Sequence, residues 1–349
     1  MSSDFLLWTV FGLFVGVSLA IDLGVISKAR GLIGGKKNSA SGSSIETIWD
    51  RTESKAPLQN QPFKQALAWT IVWISLAAIF AGLILVMMGY DRMLEFVTGY
   101  TLEKSLSVDN MFVFLLIFST LAIPHAYQHK VLSVGIISAI AMRIPLILVG
   151  VSLLESFHWM IYIFGGMLLL TAIRMLLQRK EKKIELEKNI AVRLLRKIVP
   201  LDLEVRGDKF FTRKNGVLFA TPMLVALVIV EMTDLVFAID SIPAVLAVTA
   251  DPFIVITSNV FAILGLRSLY FLLAGLMEKF YYLKPGLIAL LLFIGIKMVI
   301  SEFYKIPIGV SLAVIFGILG TALILSIIKV RRMQEEDTGG ITNKKPRDG

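Results

Sequence analysis

LEKSLSVDNMFVFLLIFSTLAI, residues 102–123, decides how the chain is read. From Met111 onward it is a run that a bilayer interior accepts, yet Glu103, Lys104 and Asp109 stand in its first half. The surrounding chain settles the class. Of 349 residues, 56% are hydrophobic and only 17% charged, where soluble domains carry about a quarter. Mean hydropathy is +0.78, and the apolar runs approach the ~20 residues that cross hydrocarbon. These numbers predict an all-α polytopic membrane protein. Cysteine is absent, which excludes disulfides, thiolate metal sites and cysteine nucleophiles. The three histidines, at 125, 129 and 158, fall at span ends.

Nine spans are expected, near 4–26, 66–88, 94–121, 126–153, 157–177, 217–248, 253–277, 284–302 and 306–329. The first begins with Asp4 rather than a basic region, and its apolar run is too long for a cleaved signal peptide. Residues 27–64 read as a cytoplasmic Gly/Ser linker, 178–216 as a basic cytoplasmic loop, 303–330 as the final helix region and 331–349 as a disordered tail. Alternate loops hold 28 of the 35 Lys and Arg residues, while the opposite set holds Arg92 and Lys305 alone. Basic loops stay in the cytoplasm, so the N-terminus is expected outside and the C-terminus inside. Within the basic loop, IELEKNIAVRLLRKIV (184–199) reads as a surface helix. Ile190, Leu194, Leu195 and Ile198 would lie on one side and Arg193, Arg196 and Lys197 near the other, a pattern suited to anionic lipid or to an ordinary solvated face.

The chain also repeats itself. EKSLSVDN (103–110) pairs with DLVFAIDS (234–241), AIAMRIPLILVG (139–150) with AILGLRSLYFLLAG (262–275), and TAIRML (171–176) with IGIKMV (294–299). Arg143 thereby aligns with Arg267, and Arg174 with Lys297. Each unit, about 94–177 and 217–302, contains three spans, so the second enters the membrane from the opposite side. Inverted repeats of this kind mark secondary transporters with a site at the midplane.

Five acids are expected at membrane depth: Glu103, Asp109, Glu231, Asp234 and Asp240. Lys104, Arg143 and Arg267 are the structural counter-charges. Facing lipid, each would cost about 2.5–3.5 kcal/mol, and eight together on the order of 20. They must face one another, a cavity or an ion. Glu231 and Asp234 share a helix face at i,i+3. Glu103 and Asp109 are six apart, as are Asp234 and Asp240, which turns the two acids of each pair about 120° away from each other. Convergence on one ion would need both helices bent or unwound near these positions, with Pro243 close by. With Asn110 and Ser241 the donor set is all oxygen. It suits Mn²⁺, Ca²⁺ or Mg²⁺ better than ions that favour imidazole or thiolate. No organic cofactor is implied, and the net charge of +9 follows from topology rather than from nucleic-acid binding.

GYTLEKSLSVDNMFVF (99–114), FFTRKNGVLFATPM (210–223), VEMTDLVFAIDSIPAVLAVTADPFIVITSN (230–259) and FAILGLRSLYFLLAG (261–275) resemble the TerC family, closest to its Alx branch. The resemblance covers about 65–330. It implies a multi-pass bacterial inner-membrane protein tied to tellurium resistance and manganese export, with the family's acidic residues at Glu103, Asp109, Glu231, Asp234 and Asp240. The expected function is therefore export of a hard divalent cation, Mn²⁺ first, by alternating access, with protons as a candidate coupling ion. Three other readings stay open. An antiporter driven by H⁺ or Na⁺ could move another cation such as Ca²⁺. A non-transporting stress scaffold is the second. An intramembrane aspartyl protease is the third, although no Gly-x-Gly-Asp loop accompanies either Asp109 or Asp240.

Overall fold

The computed structural model describes residues 3–22, 61–177, 189–202, 207–214, 216–274 and 282–341. Most of the 27–64 linker and the 178–188 start of the basic loop lie outside the described residues. The helices are α1 (Ser3–Asp22), α2 (Gln61–Met88), α3 (Tyr90–Thr120), α4 (His125–Ser156), α5 (Met160–Leu177) and α6 (Ile190–Ile198), followed by the strands β1 (Phe211–Lys214) and β2 (Val217–Ala220). After these come α7 (Pro222–Leu246), α8 (Pro252–Ile263), α9 (Leu266–Ala274), α10 (Leu283–Ile300) and α11 (Ile308–Ile341).

Among the described residues, six helices are long and apolar enough to cross a membrane: α2, α4, α5, α7, α10 and α11. The bent pair α8–α9 makes a seventh if it is one span. The nine expected segments all appear as helices, but two do not meet that test. The apolar part of α1, Phe5–Ile21, is short. Helix α3 carries Asp91, Arg92, Glu95, Glu103, Lys104 and Asp109.

One expectation needs correction. The segment 217–248 was expected to be one over-long helix, but 217–220 is β2, paired antiparallel with β1 in the register Phe211↔Ala220 to Lys214↔Val217. The helix starts only at Pro222, a residue suited to the first helical turn. At the other end of the chain, α11 runs on to Ile341. KVRRMQEED (329–337) consists largely of good helix formers and has no breaker before Gly339.

Helix α8 is the inner element. Every residue from Phe253 to Ile263 is buried, Thr257, Ser258 and Asn259 among them. It packs against α3 and α4, and reciprocally α7 packs against α4 and α3, while α5 packs along α10. The α5–α10 crossing is close because each helix presents a glycine. A Cβ on Gly165 or Gly295 would fall 3.1 Å from the other's carbonyl oxygen. An aromatic cluster, with Phe80 and Phe261 centroids 4.6 Å apart and Phe96 and Phe253 around them, joins α2, α3 and α8. Outward-facing Ile71, Ile79 and Val86 of α2 and Leu323 and Ile324 of α11 remain exposed, as lipid-facing residues do.

Polar contacts tie the turns into two sets at opposite ends of α3. At its start, Arg92 lies 3.5 Å from Asp251 of the α7–α8 turn. Near the other end, Lys130 of α4 meets Asp208, ahead of the hairpin, at 2.8 Å. Helix α6 joins this second end through buried Ala191 and Val192, and leaves Ile190, Leu194 and Ile198 exposed.

Candidate cation site

Four helices converge on one guanidinium. Arg143 of α4 is 2% exposed and grips Asp234 of α7 with two parallel bonds, Nη2 to Oδ1 at 2.7 Å and Nε to Oδ2 at 3.1 Å. Its Nη1 donates to Glu103 Oε1 of α3 and, at 3.1 Å, to Asn259 Oδ1 of α8. The planar fork of arginine suits such bidentate holding. Two carboxylates against one guanidinium leave the cluster formally one charge negative if both acids are ionised. A buried set of this kind persists only when its members satisfy one another.

The satisfaction is incomplete. Among the described residues, Glu103 Oε2, Glu231 Oε2, Ser107 Oγ, Ser241 Oγ and Tyr100 Oη are buried with no hydrogen-bond partner. Most helical hydroxyls here behave otherwise. Thr98, Ser105, Ser133, Thr233 and Thr257 each donate back to the carbonyl four residues earlier. Native interiors leave few polar atoms unpaired, and these five border or flank the acid cluster. Tyr100, Glu103 and Ser107 follow one another on one face of α3, at i, i+3 and i+7. On the Asp234 side of the cluster a cavity of about 20 Å³ is lined by Glu231, Asp234, Arg267 and Gly135, with Phe114 and Leu132 among its apolar walls. That is room for about one water molecule.

The other expected residues are placed elsewhere. Asp240 of α7 is half-buried and accepts from Thr171 Oγ1 of α5 at 2.9 Å, turned away from Asp234 as the six-residue offset dictates. The side chain of Asp109 lies outside the described residues, though its backbone is helical. Asn110 is buried in α3. Arg267 lines the cavity, and its Nη1 donates to Ser133 Oγ at 3.1 Å. Among the described residues, no three of Asp, Glu and His stand close enough to share one metal ion.

The expected unwinding of the acid-bearing helices does not occur. Both α3 and α7 are continuous through Glu103–Asn110 and Asp234–Ser241. Glu103 and Asp234 meet through a third helix, whose arginine bridges them, so neither needs a bend. The break comes instead in the arginine-bearing span of the second unit, where α8 and α9 are bent by 42° around Leu264–Gly265. Gly265 has φ +82°, and an added Cβ would lie 2.5 Å from Trp73 Cγ of α2. Lys104 is also placed differently from expectation. Its Nζ reaches the Ala262 carbonyl at 3.1 Å and the Leu264 carbonyl at 3.5 Å, and so meets backbone dipoles of the break.

Asn259, Ser107, Thr171 and Ser133 were not singled out in the sequence. Asn259 is a lone amide in FIVITSNVFAI (253–263), and its polarity inside a largely apolar run was the available signal. The hydroxyls carried none, since a membrane helix hides serine and threonine by bonding them to its own carbonyls.

The model of the "Integral membrane protein TerC family" matches residues 88–334. The chain is 46% identical over 331 residues to an uncharacterized membrane protein of Myxococcus xanthus, an alignment covering 95% of each chain. It is 44% identical over 329 residues to the "Putative membrane-bound redox modulator Alx" of Escherichia coli K12, covering 92% of this chain and 94% of that one. An uncharacterized membrane protein of Rickettsia bellii is 36% identical over 322 residues, covering 92% and 97%. No solved structure matches the chain.

Proposed function

The chain belongs to the integral membrane protein TerC family, and on that premise we propose that it exports a hard divalent cation, Mn²⁺ foremost, by alternating access. The observation that carries this reading is the Arg143 cluster: two carboxylates from α3 and α7 held by one arginine, beside a small cavity and unpartnered oxygens. In the cation-free protein the guanidinium stands in for the cargo. A divalent ion entering by way of Glu231 competes with Arg143 for Asp234 and Glu103. Its own charge replaces the arginine's, and Glu103 Oε2 and Glu231 Oε2 supply oxygens that have no other use. Hard cations with all-oxygen shells fit such donors. Asp240, with Thr171, lies off this centre and serves as a separate relay toward α5. Asp109, Asn110 and Ser241 remain candidate ligands on the same two helices.

The packing supports the inverted-repeat reading. The first helix of each unit lies on the second span of the other (α3 on α8, α7 on α4), and the third helices pair with each other (α5 on α10). A two-fold exchange of units would produce that pattern. The basic-loop asymmetry gives an N-out, C-in orientation in a bacterial inner membrane, with α6 laid on the headgroups of the cytoplasmic leaflet. The E. coli relative is named for redox modulation. A chain without cysteine has no thiol of its own for that chemistry, and movement of a redox-active metal would connect the two descriptions.

The test is Mn²⁺ flux into proteoliposomes carrying wild type, Glu103→Gln, Asp234→Asn or Asp240→Asn. Loss in the first two variants, with a smaller loss in the third, is expected. Equal flux in all four overturns the reading. Movement of Ca²⁺ with H⁺ or Na⁺ but not Mn²⁺ replaces the cargo. Folded protein that moves no ion supports the scaffold, in which Arg143 only ties four helices together.

A further inference from the structure

The break between α8 and α9 lies in the middle of the packed core, where Leu264 and Gly265 are surrounded by α2 and α3. A helix that ends at Ile263 leaves the carbonyls of its last residues without backbone donors. The restarted helix does not supply them, because its first closing bond runs from Leu269 N to the Gly265 carbonyl. In water such carbonyls are hydrated. At membrane depth they must be satisfied from within the protein. Here the ammonium of Lys104 lies on two of them, at Ala262 and Leu264.

A carbonyl-lined break with a positive charge seated on it is how discontinuous membrane helices hold monovalent ions, since the C-terminal end of a half-helix carries partial negative charge. We propose that the Leu264–Gly265 break is a monovalent-cation seat, which this protein fills permanently with the tethered ammonium of Lys104. An ammonium head is close to K⁺ in size and takes the same carbonyl oxygens. The break does not open and close to admit an ion. Trp73 packs on Gly265 from α2, Lys104 enters from α3, and the two fix the turn between them. The protein therefore needs no free alkali cation at this position. The inference is independent of the cargo, because it concerns a seat that keeps its occupant whatever ion the acid cluster handles.

Purified full-length protein in detergent is compared in KCl, NaCl, methylammonium chloride and choline chloride at equal ionic strength, with the thermal unfolding midpoint as the readout. Wild type should unfold at the same temperature in all four. Lys104→Ala empties the seat, so its midpoint should fall in choline and recover most of that loss in K⁺ or methylammonium. Lys104→Met keeps an apolar chain in the path, and should lose stability without recovery in any salt. A wild type stabilised by K⁺ or Na⁺ over choline overturns the proposal, because the seat would then be open to exchange. So does a destabilised Lys104→Ala that no small cation restores, since Lys104 would then be only a structural cap. If Lys104→Ala is recovered only when expressed and extracted in K⁺ or methylammonium, that dependence is itself the expected result. Failure in every salt counts against the proposal.

Discussion

Helix α4 and the pair α8–α9 are the two spans that carry the aligned arginines, and they solve the same burial problem differently. Helix α4 holds Pro145 two residues after Arg143 and still runs unbroken from His125 to Ser156. The second span has no proline near Arg267, yet it breaks two residues before it, at Gly265. A proline inside a helix removes one donor and often leaves the axis intact when neighbours absorb the strain. A residue at φ +82° cannot be part of a right-handed helix at all. The unbroken span delivers its arginine to the acids of both units. In the broken span, Arg267 meets a hydroxyl of α4, and the charge that satisfies the break is a lysine from α3. The acid cluster is therefore asymmetric even though the sequence units align.

The largest effect expected from this comparison comes from removing one arginine or the other. Arg143→Met leaves Glu103 and Asp234 buried without their shared counter-charge. Breaking a buried set in this way destabilises by about 3–5 kcal/mol. Arg143→Lys keeps the charge but loses the fork, and should recover only part. Arg267→Met should lose less than Arg143→Met, since Arg143 holds both Glu103 and Asp234. Urea or thermal unfolding of the detergent-solubilised variants measures the order. Equal losses for the two methionine variants would erase the asymmetry.

Next comes the turn itself. Gly265→Ala places a methyl 2.5 Å from Trp73 Cγ at φ +82°. Overpacking of about 1–3 kcal/mol and a left-handed penalty of about 1–2 kcal/mol then act together. Gly150→Ala in α4 meets side-chain ends, Leu246 Cδ1 at 3.0 Å and Ile242 Cγ2 at 3.5 Å. Its gain in helix propensity, about 1 kcal/mol, should roughly offset those contacts. Thermal midpoints well apart for the two variants sharpen the contrast between a continuous and a broken span. A neutral Gly265→Ala would mean that the turn is not fixed by Trp73.

How much of this was legible follows from the same residues. The spans were, because apolar runs and basic loops are composition signals that tertiary packing does not alter. Arg143 and the acids were visible as charges that could not face lipid, but their pairing was not. Helical periodicity fixes angles within α3 and α7 and is silent about a side chain arriving from α4. That silence led the six-residue spacing to be read as a bend. The bend at Leu264–Gly265 left only a glycine among many. Lys104 announced a buried charge with no hint that backbone, rather than carboxylate, receives it. The hairpin at 211–220 was hidden by its own hydrophobicity. VLFA continues into the apolar TPMLVALVIV of α7, and only KNG (214–216) marked a turn ahead of it.

The smallest effect separates two ion pairs that link the α4 side of the molecule to the approach to α7. Arg143–Asp234 does so at depth, and Lys130–Asp208 does so in the open. The Lys130 ammonium, hydrogen-bonded to Asp208 at 2.8 Å and acting through its charge, holds that carboxyl below its ordinary value of 3.8. An acid whose folded pKa is depressed stabilises the fold above its unfolded value. The contribution is lost as pH falls through the folded value. Lys130→Met and Asp208→Asn should therefore be slightly less stable than wild type near neutrality. The difference should close once the pH drops below the ordinary carboxylate range. It should also shrink in high salt, because both partners are exposed and screened. The loss in Arg143→Met should resist salt, since no counter-ion reaches a guanidinium that is 2% exposed. A salt-sensitive Arg143→Met would place that cluster in contact with water, and the distinction between the two pairs would be one of degree.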